Sequence, residues 1–462
     1  MTPECRAALQ QLCDDTARDE HVASISWGIV TGGELVEHGC TGRLDDDSPA
    51  DRHAVYRIAS MTKSFTAATV LALRDEGVWS LDDPVVSFAP ELATVVGPPG
   101  SPAITLRHLL SMTSGLATDD AWADRHLDMT AGEIDRVYAA GPTFAHLPNT
   151  AYEYSNLGYG MLGRVVQRAT GIRVQQHIDD RLLRPLGMQD TSWVQPTHDR
   201  WARPFRVQDD AIVPDWPAPI GDGEIAPMGG LWTTVNDLAK WVTWLDSANE
   251  SPHQPDPIGL CAASRREMQR VHTYIGITTV AGRPSPAGYG FGLNVRDDST
   301  LGSVVAHAGG LPGYGSSMRW LAGRGVGAIA LGNSTYAPMS ELTMRMLVTL
   351  HEHGAVPTAT PVSAPLWEAA AHRLLALLNS WDDAVARNLL DDNMALDESF
   401  ERRRAVADRL VADRGPLHIV ALLPVAATRG KVAVQGTGEP FSIEMELSPS
   451  PGSPIQLYEI DL

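Results

Sequence analysis

The segment that decides the fold begins with Ser60-Met61-Thr62-Lys63 and continues to position 74. Apolar residues recur along it at spacings that form a broad face, which is typical of a buried helix. These apolar positions are Met61, Phe65, Ala68, Val70, Leu71 and Leu73. On a helix, residues three positions apart share a face, so the amine of Lys63 can reach the hydroxyl of Ser60. The sequence therefore predicts a buried helix, ended by Gly77, with a serine-lysine pair at its start.

This pair has the chemistry of an activated nucleophile, although a serine helix cap beside a solvated lysine is the alternative interpretation. The scarcity of lysine in the chain favours the interpretation of Ser60 as an activated nucleophile. Among the 36 basic residues of the chain, only Lys63, Lys240 and Lys431 are lysines. A guanidinium keeps its proton near neutral pH, whereas a desolvated ammonium can lose it. An amine at position 63 therefore indicates acid–base catalysis. The partial positive charge at the start of the helix would also favour negative charge on a substrate oxygen beside Ser60.

Strand patterns lie on both sides of a helical middle. Residues 22–30 and 34–38 are predicted strands joined by a turn at Gly32-Gly33. Helical patterns follow at 106–112, 158–169, 174–183 and 235–245, and short β-type runs return at 289–295, 303–307, 316–320 and 327–331. This order predicts an α/β (α+β) fold in which one sheet is assembled from both ends, with an inserted helical lobe. We expect the cleft where sheet and lobe meet.

A proline-rich stretch at residues 354–365 is a predicted linker. The 462 residues of the chain exceed the roughly 250 to 300 that usually share one core, so we expect two domains, at 1–353 and 366–462. The second has helical patterns at 366–378, 384–390 and 398–412, followed by alternation at 441–447. This small α+β module resembles the cone-shaped fold of nuclear transport factor and polyketide cyclase relatives. Those relatives often pair through their sheets, so a homodimer is a hypothesis.

The charge balance excludes several classes of partner. A formal net charge of -20 repels phosphate backbones and anionic lipid, so we expect no nucleic-acid and no membrane partner. A neutral or cationic small molecule or short peptide fits better as substrate. The N-terminus has no basic region followed by an apolar run, and we expect a cytoplasmic protein. The four cysteines have no metal-ligand spacing, and we expect neither a metal nor a cofactor.

Two further motifs are weak when taken alone. Tyr154-Ser155-Asn156 precedes a predicted helix, where a phenol and an amide two residues apart can point into one cleft. His307-Ala308-Gly309-Gly310 follows a predicted strand, where glycines leave the backbone open to a ligand. The alternatives are a core tyrosine beside a turn and a hydrogen-bonded histidine before one.

Together, Ser-x-x-Lys, Tyr-x-Asn and His-x-Gly in this order resemble the signature of the serine β-lactamase and penicillin-binding-protein family, in its branch of class C β-lactamases, D-aminopeptidases and esterases. The sequence at 109–116, 184–191 and 229–234 is similar to that family as well. The resemblance covers roughly residues 22–350. It implies a β-lactamase-like antiparallel sheet flanked by helices, with an all-helical lobe.

The resemblance also implies roles for single residues. Ser60 would attack a carbonyl and become acylated, and Lys63 and Tyr154 would share its proton, with the identity of the base left open. Asn156 would orient the substrate. The backbone N–H groups of Ser60 and Gly310 would form the oxyanion hole.

His307 stands where β-lactamases carry the lysine of Lys-Thr-Gly, and Gly309 occupies the glycine position of that motif. A histidine is mostly neutral above a pKa of about 6.5, so its grip on a β-lactam carboxylate should be weaker. We therefore expect weak or no β-lactamase activity and better cleavage of an ester or amide, with a D-amino-acid or peptide-like part as one option. A transacylase and a ligand-binding pseudoenzyme are the alternatives.

Substrate specificity is expected to come from the helical lobe. Asp119, Asp120, Trp122 and Asp124 form an acidic stretch there. Ligand sites are rich in aromatic side chains, so part of this stretch is expected to line the pocket.

Overall fold

Both ends of the first unit contribute strands to one sheet. The structure is a computed structural model that describes residues 1–45, 48–215, 221–249, 258–357 and 363–461. The chain separates into two units, Met1–Thr358 and Ala359–Leu462. This division lies in the stretch 354–365, of which residues 358–362 are outside the described residues.

The strands of the first unit are β1 (Ser24–Thr31), β2 (Glu34–Gly42), β3 (Tyr56–Arg57), β4 (Phe205–Gln208), β5 (Ala211–Pro214), β6 (Trp232–Thr233), β7 (Thr273–Val280), β8 (Arg283–Tyr289), β9 (Asn294–Asp298), β10 (Gly302–Leu311), β11 (Tyr314–Leu321) and β12 (Val326–Gly332). Its helices are α1 (Pro3–Asp19), α2 (Thr62–Asp75), α3 (Leu106–Leu110), α4 (Asp120–Ala123), α5 (Ala131–Ala140), α6 (Asn156–Thr170), α7 (Val174–Ile178), α8 (Val235–Asp246), α9 (Ala262–Met268) and α10 (Met339–Glu352).

Eight strands form one antiparallel sheet in the order β2-β1-β12-β11-β10-β9-β8-β7. The first strand of the chain therefore pairs with the last strand of this unit, which confirms that the sheet is assembled from both ends. Every residue of β11 and β12 is buried, because helices cover both faces of the sheet centre. The short pairs β3–β6 and β4–β5 form two further sheets that the sequence analysis did not predict.

Alternation along β1 sends its side chains to two different cores. Ile25, Trp27 and Ile29 face the core formed with α1 and α10, whereas Val30 belongs to the larger core that contains α2, α6 and α8. Helix α2 is buried from Thr62 to Leu73, as its apolar pattern predicts. None of the helices in the described ranges has both the length and the apolar character required to cross a bilayer.

Two predicted elements are wrong in detail. The predicted strand at 289–295 is broken, because β8 ends at Tyr289 and β9 begins at Asn294. Gly292 adopts a left-handed φ of 69° between them, which a continuous strand does not allow. The predicted helix at 174–183 is α7 followed by a π-helical turn over Asp179–Leu183.

The second unit contains α11 (Pro365–Asn379), α12 (Asp383–Leu389), α13 (Asp392–Asp397), α14 (Phe400–Arg414), β13 (His418–Ala426), β14 (Arg429–Gln435), β15 (Phe441–Leu447) and β16 (Ile455–Asp461). The strands form an antiparallel sheet in chain order. This unit has its own core, in which Trp367 is fully buried and donates to the Met445 carbonyl. Helices followed by antiparallel strands agree with the predicted order.

The helical lobe depends on a buried charge in α6. Arg164 has a side chain that is only 3% exposed, and its guanidinium contacts Glu91, Asp135 and Glu224. We expect Arg164→Ala to destabilise the first unit by about 3–5 kcal/mol, because it leaves the largely buried Glu224 without this cation and Glu91 with Arg168 alone. Thermal and urea unfolding of the full chain measure this change.

Arg168→Ala provides the control on the same helix. Arg168 also binds Glu91, but its side chain is 49% exposed, so its loss should cost about 0–1 kcal/mol. Equal destabilisation by the two substitutions would contradict the structural role given to Arg164.

Candidate active site

Ser60 lies in a tight turn that leads into α2. The turn spans Ala59–Met61 and is a 3-10 helix. Ala59 has a left-handed φ of 48°, an uncommon conformation for a residue with a side chain, and the surrounding contacts hold it. Ser316 donates to the Ile58 carbonyl at 2.8 Å. A Cβ at Gly309 would come within 2.2 Å of that carbonyl oxygen, so β10 can approach the turn only with glycine there.

Lys63 lies one helical turn beyond Ser60 and is completely buried. Its Nζ is 2.9 Å from Ser60 Oγ, 2.6 Å from Asn156 Oδ1 and 2.9 Å from the Met228 carbonyl oxygen. Burial lowers the pKa of Lys63 to about 7, because the charged ammonium is desolvated. Nearby carboxylates oppose this shift, and Asp120 contributes most among them. Near neutral pH this amine is therefore present in both protonation states.

Tyr154 completes the group around Ser60. Burial raises the pKa of Tyr154 well above its ordinary value, and a hydrogen bond with the Ser60 side chain opposes that shift. The ring centroid of Tyr154 lies 4.8 Å from Lys63 Nζ. The structure thus brings Ser60, Lys63 and Tyr154 together, with a phenol that stays protonated near neutral pH.

Asn156 is held by two aspartates whose contacts the sequence analysis did not predict. It is the first residue of α6, and its side-chain amide donates to Asp120 Oδ1 at 2.7 Å. This contact leaves the amide oxygen facing Lys63. Asp119 accepts from the backbone N–H groups of Asn156 and Leu157 at 2.7 and 2.8 Å. The sequence shows the acidic stretch and indicates a role in specificity, but its contact with α6 has no local sequence signal.

The Met228 carbonyl is the other contact missed from the sequence. It lies in a short 3-10 turn just before Gly229 and accepts from Lys63. A main-chain acceptor does not depend on residue type, so no sequence pattern could indicate it.

His307 is buried in β10 and neutral near pH 7. Burial, together with the smaller effect of the nearby Lys63, lowers the pKa of His307 to about 3. Its Nδ1 lies 2.6 Å from the Ala308 carbonyl oxygen and its Nε2 lies 3.1 Å from the Tyr289 hydroxyl. A carbonyl only accepts, so Nδ1 carries the proton and Nε2 accepts from Tyr289.

The backbone beyond Ala306 is open on one edge of β10. Strand β9 pairs with β10 only from Gly302 to Ala306, so it does not cover Gly309 and Gly310. The ring of Tyr336 lies against Gly310, where a Cβ would be 2.5 Å from Cδ1.

A cavity of about 560 Å³ opens beside Ser60. Its lining comes from the helical lobe on one side and from β10 and the segment before α10 on the other. The lining residues are Ser60, Asp120, Ala121, Asp124, Tyr154, Asn294, His307, Ala308, Gly309, Gly310, Ser316, Tyr336, Ala337, Pro338 and Ser340.

The sequence of this chain is similar to those of known proteins. Esterase EstB of Burkholderia gladioli is 28% identical over 378 residues, which cover 72% of this chain and 92% of the esterase. Protein flp of Staphylococcus aureus strain MW2 is 25% identical over 344 residues, which cover 73% of this chain and 65% of that protein.

The fold also matches a solved structure. The octameric penicillin-binding protein homologue from Pyrococcus abyssi superposes with a TM-score of 0.64 at 21% identity, covering 98% of this chain and 95% of the other. Sequence similarity to an esterase supports a hydrolase-type function. The family model described as Beta-lactamase matches residues 9–352. Since that match spans most of the chain, the protein belongs to the Beta-lactamase family.

Proposed function

We propose that this protein is a serine hydrolase that cleaves a carboxylic ester or amide through an acyl-enzyme on Ser60. One observation carries the proposal, namely that the completely buried amine of Lys63 lies 2.9 Å from the Ser60 hydroxyl. A hydroxyl so close to an amine that can lose its proton near neutral pH has a base within reach.

The other partners of Lys63 favour the neutral amine as that base. Asn156 Oδ1 and the Met228 carbonyl oxygen can only accept, and a neutral amine has two N–H groups to donate to them. Its lone pair is then directed at the third neighbour, the Ser60 hydroxyl. In this state Lys63 removes the proton of Ser60 as Oγ attacks the substrate carbonyl carbon.

Tyr154 is assigned the role of proton donor. Its pKa is raised well above 10 by burial, so the phenol keeps its proton near neutral pH. When the bond between the carbonyl carbon and the leaving group breaks, Tyr154 protonates the leaving oxygen or nitrogen, and the proton on Lys63 replaces it. Water then enters by the reverse sequence. Tyr154 passes its proton to Lys63 and takes one from water as the water oxygen attacks the acyl carbon. Lys63 returns its proton to Ser60 Oγ as the acyl–Oγ bond breaks.

The carbonyl oxygen needs donors as it becomes negative. The backbone N–H groups of Ser60 and Gly310 are the candidates, since both residues line the cavity. In enzymes generally, removal of one such donor lowers the rate by roughly 10² to 10³.

The first test is covalent labelling. The Ser60→Ala variant should lose esterase activity and take up no fluorophosphonate by intact-mass analysis, because the attacking oxygen is absent. Ser64→Ala is the matched control, since Ser64 lies in the first turn of α2, four residues beyond Ser60, and donates to the Met61 carbonyl. Labelling of Ser60→Ala would contradict the assignment.

The second test is the pH profile. We expect kcat/KM for a p-nitrophenyl ester to rise with pH through about 7 and then to level off, because the neutral form of Lys63 increases over that range. Lys63→Arg should abolish activity at every pH from about 6 to 9, since a guanidinium cannot give up its proton there. Lys240→Arg, at another lysine site, should keep the wild-type profile. A profile that is flat through neutral pH would exclude Lys63 as the base.

The third test concerns β-lactams. Among the described residues, the cavity lining includes neither lysine nor arginine, and His307 is neutral. We therefore expect kcat/KM for nitrocefin to be lower than for a p-nitrophenyl ester by about tenfold or more, because no fixed cation pairs with the carboxylate. Nitrocefin hydrolysis as fast as ester hydrolysis would refute this specificity.

A further inference from the structure

Asp124 is a buried carboxylate on the wall of the cavity at Ser60. It follows directly after α4 and is 4% exposed. The phenol of Tyr336 donates to Asp124 Oδ2 at 2.8 Å. In the parts of the chain that the structure describes, no other group hydrogen-bonds to this side chain, so Oδ1 is left without a partner. Because Asp124 lines the cavity, this oxygen can accept a contact from a ligand.

Tyr336 fixes where this carboxylate lies in the cleft. The residue precedes α10 and has a left-handed φ of 53°, which is uncommon for an aromatic residue. Its ring lies against Gly310 and its hydroxyl reaches Asp124. Tyr336 therefore connects Asp124 with Gly310, whose backbone N–H is a proposed donor to the substrate carbonyl oxygen.

The rest of the cavity adds negative charge and no fixed positive charge. Asp120 lies on the same wall, one helical turn before Asp124. The described lining has no lysine or arginine, and the buried His307 is neutral. The cationic form of Lys63 lies behind Ser60 and is engaged with Asn156 and Met228. The charged side chains that line the cavity are therefore the carboxylates of Asp120 and Asp124.

We propose that the cleft selects substrates with a positively charged ammonium group, protonated or quaternary, a few bonds from the scissile carbonyl, and that Asp124 is the counter-ion of that group. This inference rests on the proposed acyl transfer at Ser60 and names its substrate class. The cationic group contacts Oδ1, while Tyr336 holds Oδ2. A substrate carboxylate in the same position would be repelled.

Matched esters test this selectivity. Choline butyrate and its carbon isostere, in which tert-butyl replaces trimethylammonium, differ on the leaving-group side by one charge at nearly constant shape. Ethyl γ-trimethylammonio-butyrate and its tert-butyl isostere make the same comparison on the acyl side. At pH 8, where Asp124 and Lys63 are in their active forms, we expect kcat/KM to favour the cation by about tenfold in at least one pair, because the carboxylate attracts the positive charge.

The variants assign the preference to one residue. Asp124→Asn should bring the cation-to-neutral ratio close to one, whatever its effect on the absolute rate. Asp128→Asn is the matched control, because Asp128 is an exposed carboxylate four positions along that does not line the cavity. A ratio near one in the wild type, or a preference that survives Asp124→Asn, would overturn the inference.

Binding to the Ser60→Ala variant separates this inference from the proposed function. Calorimetry with the same ester pairs measures affinity without turnover, and we expect the cation to bind about tenfold more tightly in the favoured pair. If the wild type hydrolyses neither ester while this preference is present, the hydrolase proposal fails and the cation site stands. If hydrolysis depends on Ser60 but both isosteres bind equally, the cation site fails alone.

Discussion

A primary amine enclosed by protein beside a serine hydroxyl is the constraint on which the rest of the site depends. Taking an ammonium out of water favours loss of its proton, so the environment that buries Lys63 also makes it basic enough to accept a proton near neutral pH. The contacts from Asn156 and Met228 then fix where the amine lies. Helix α2 must be fully buried for this arrangement, and the sheet and the helical lobe enclose it.

The position of Ser60 depends on close approach between two distant parts of the chain. Ala59 keeps an unfavourable backbone conformation because Ser316 hydrogen-bonds to Ile58 and β10 packs against the turn. Gly309 allows that approach, since any side chain there would meet the Ile58 carbonyl. The same strand presents Gly310 to the cavity. Local strain, sheet packing and the open backbone edge are therefore parts of one arrangement.

The acidic side of the helical lobe connects catalysis with specificity. Asp120 orients Asn156, which in turn holds the amine of Lys63. The same carboxylate opposes the fall in the pKa of Lys63, so the lobe influences the base as well as the pocket. Asp124 faces the cavity from the same segment. The stretch from Asp120 to Asp124 thus gives the cavity its negative charge. It also orients Asn156, which contacts the amine of Lys63.

The amino-acid sequence alone predicts Ser60 and Lys63 around the start of α2, Tyr154 and Asn156 around the start of α6, and a sheet assembled from both ends of the first unit. These features follow from helical spacing, alternation and motif order, which are local properties of the chain. The three-dimensional arrangement is needed to show that Asp120 holds Asn156, that a main-chain carbonyl binds Lys63, and that the predicted strand at 289–295 is broken. Contacts between distant segments depend on how the elements pack, and no periodicity within one segment records its neighbours.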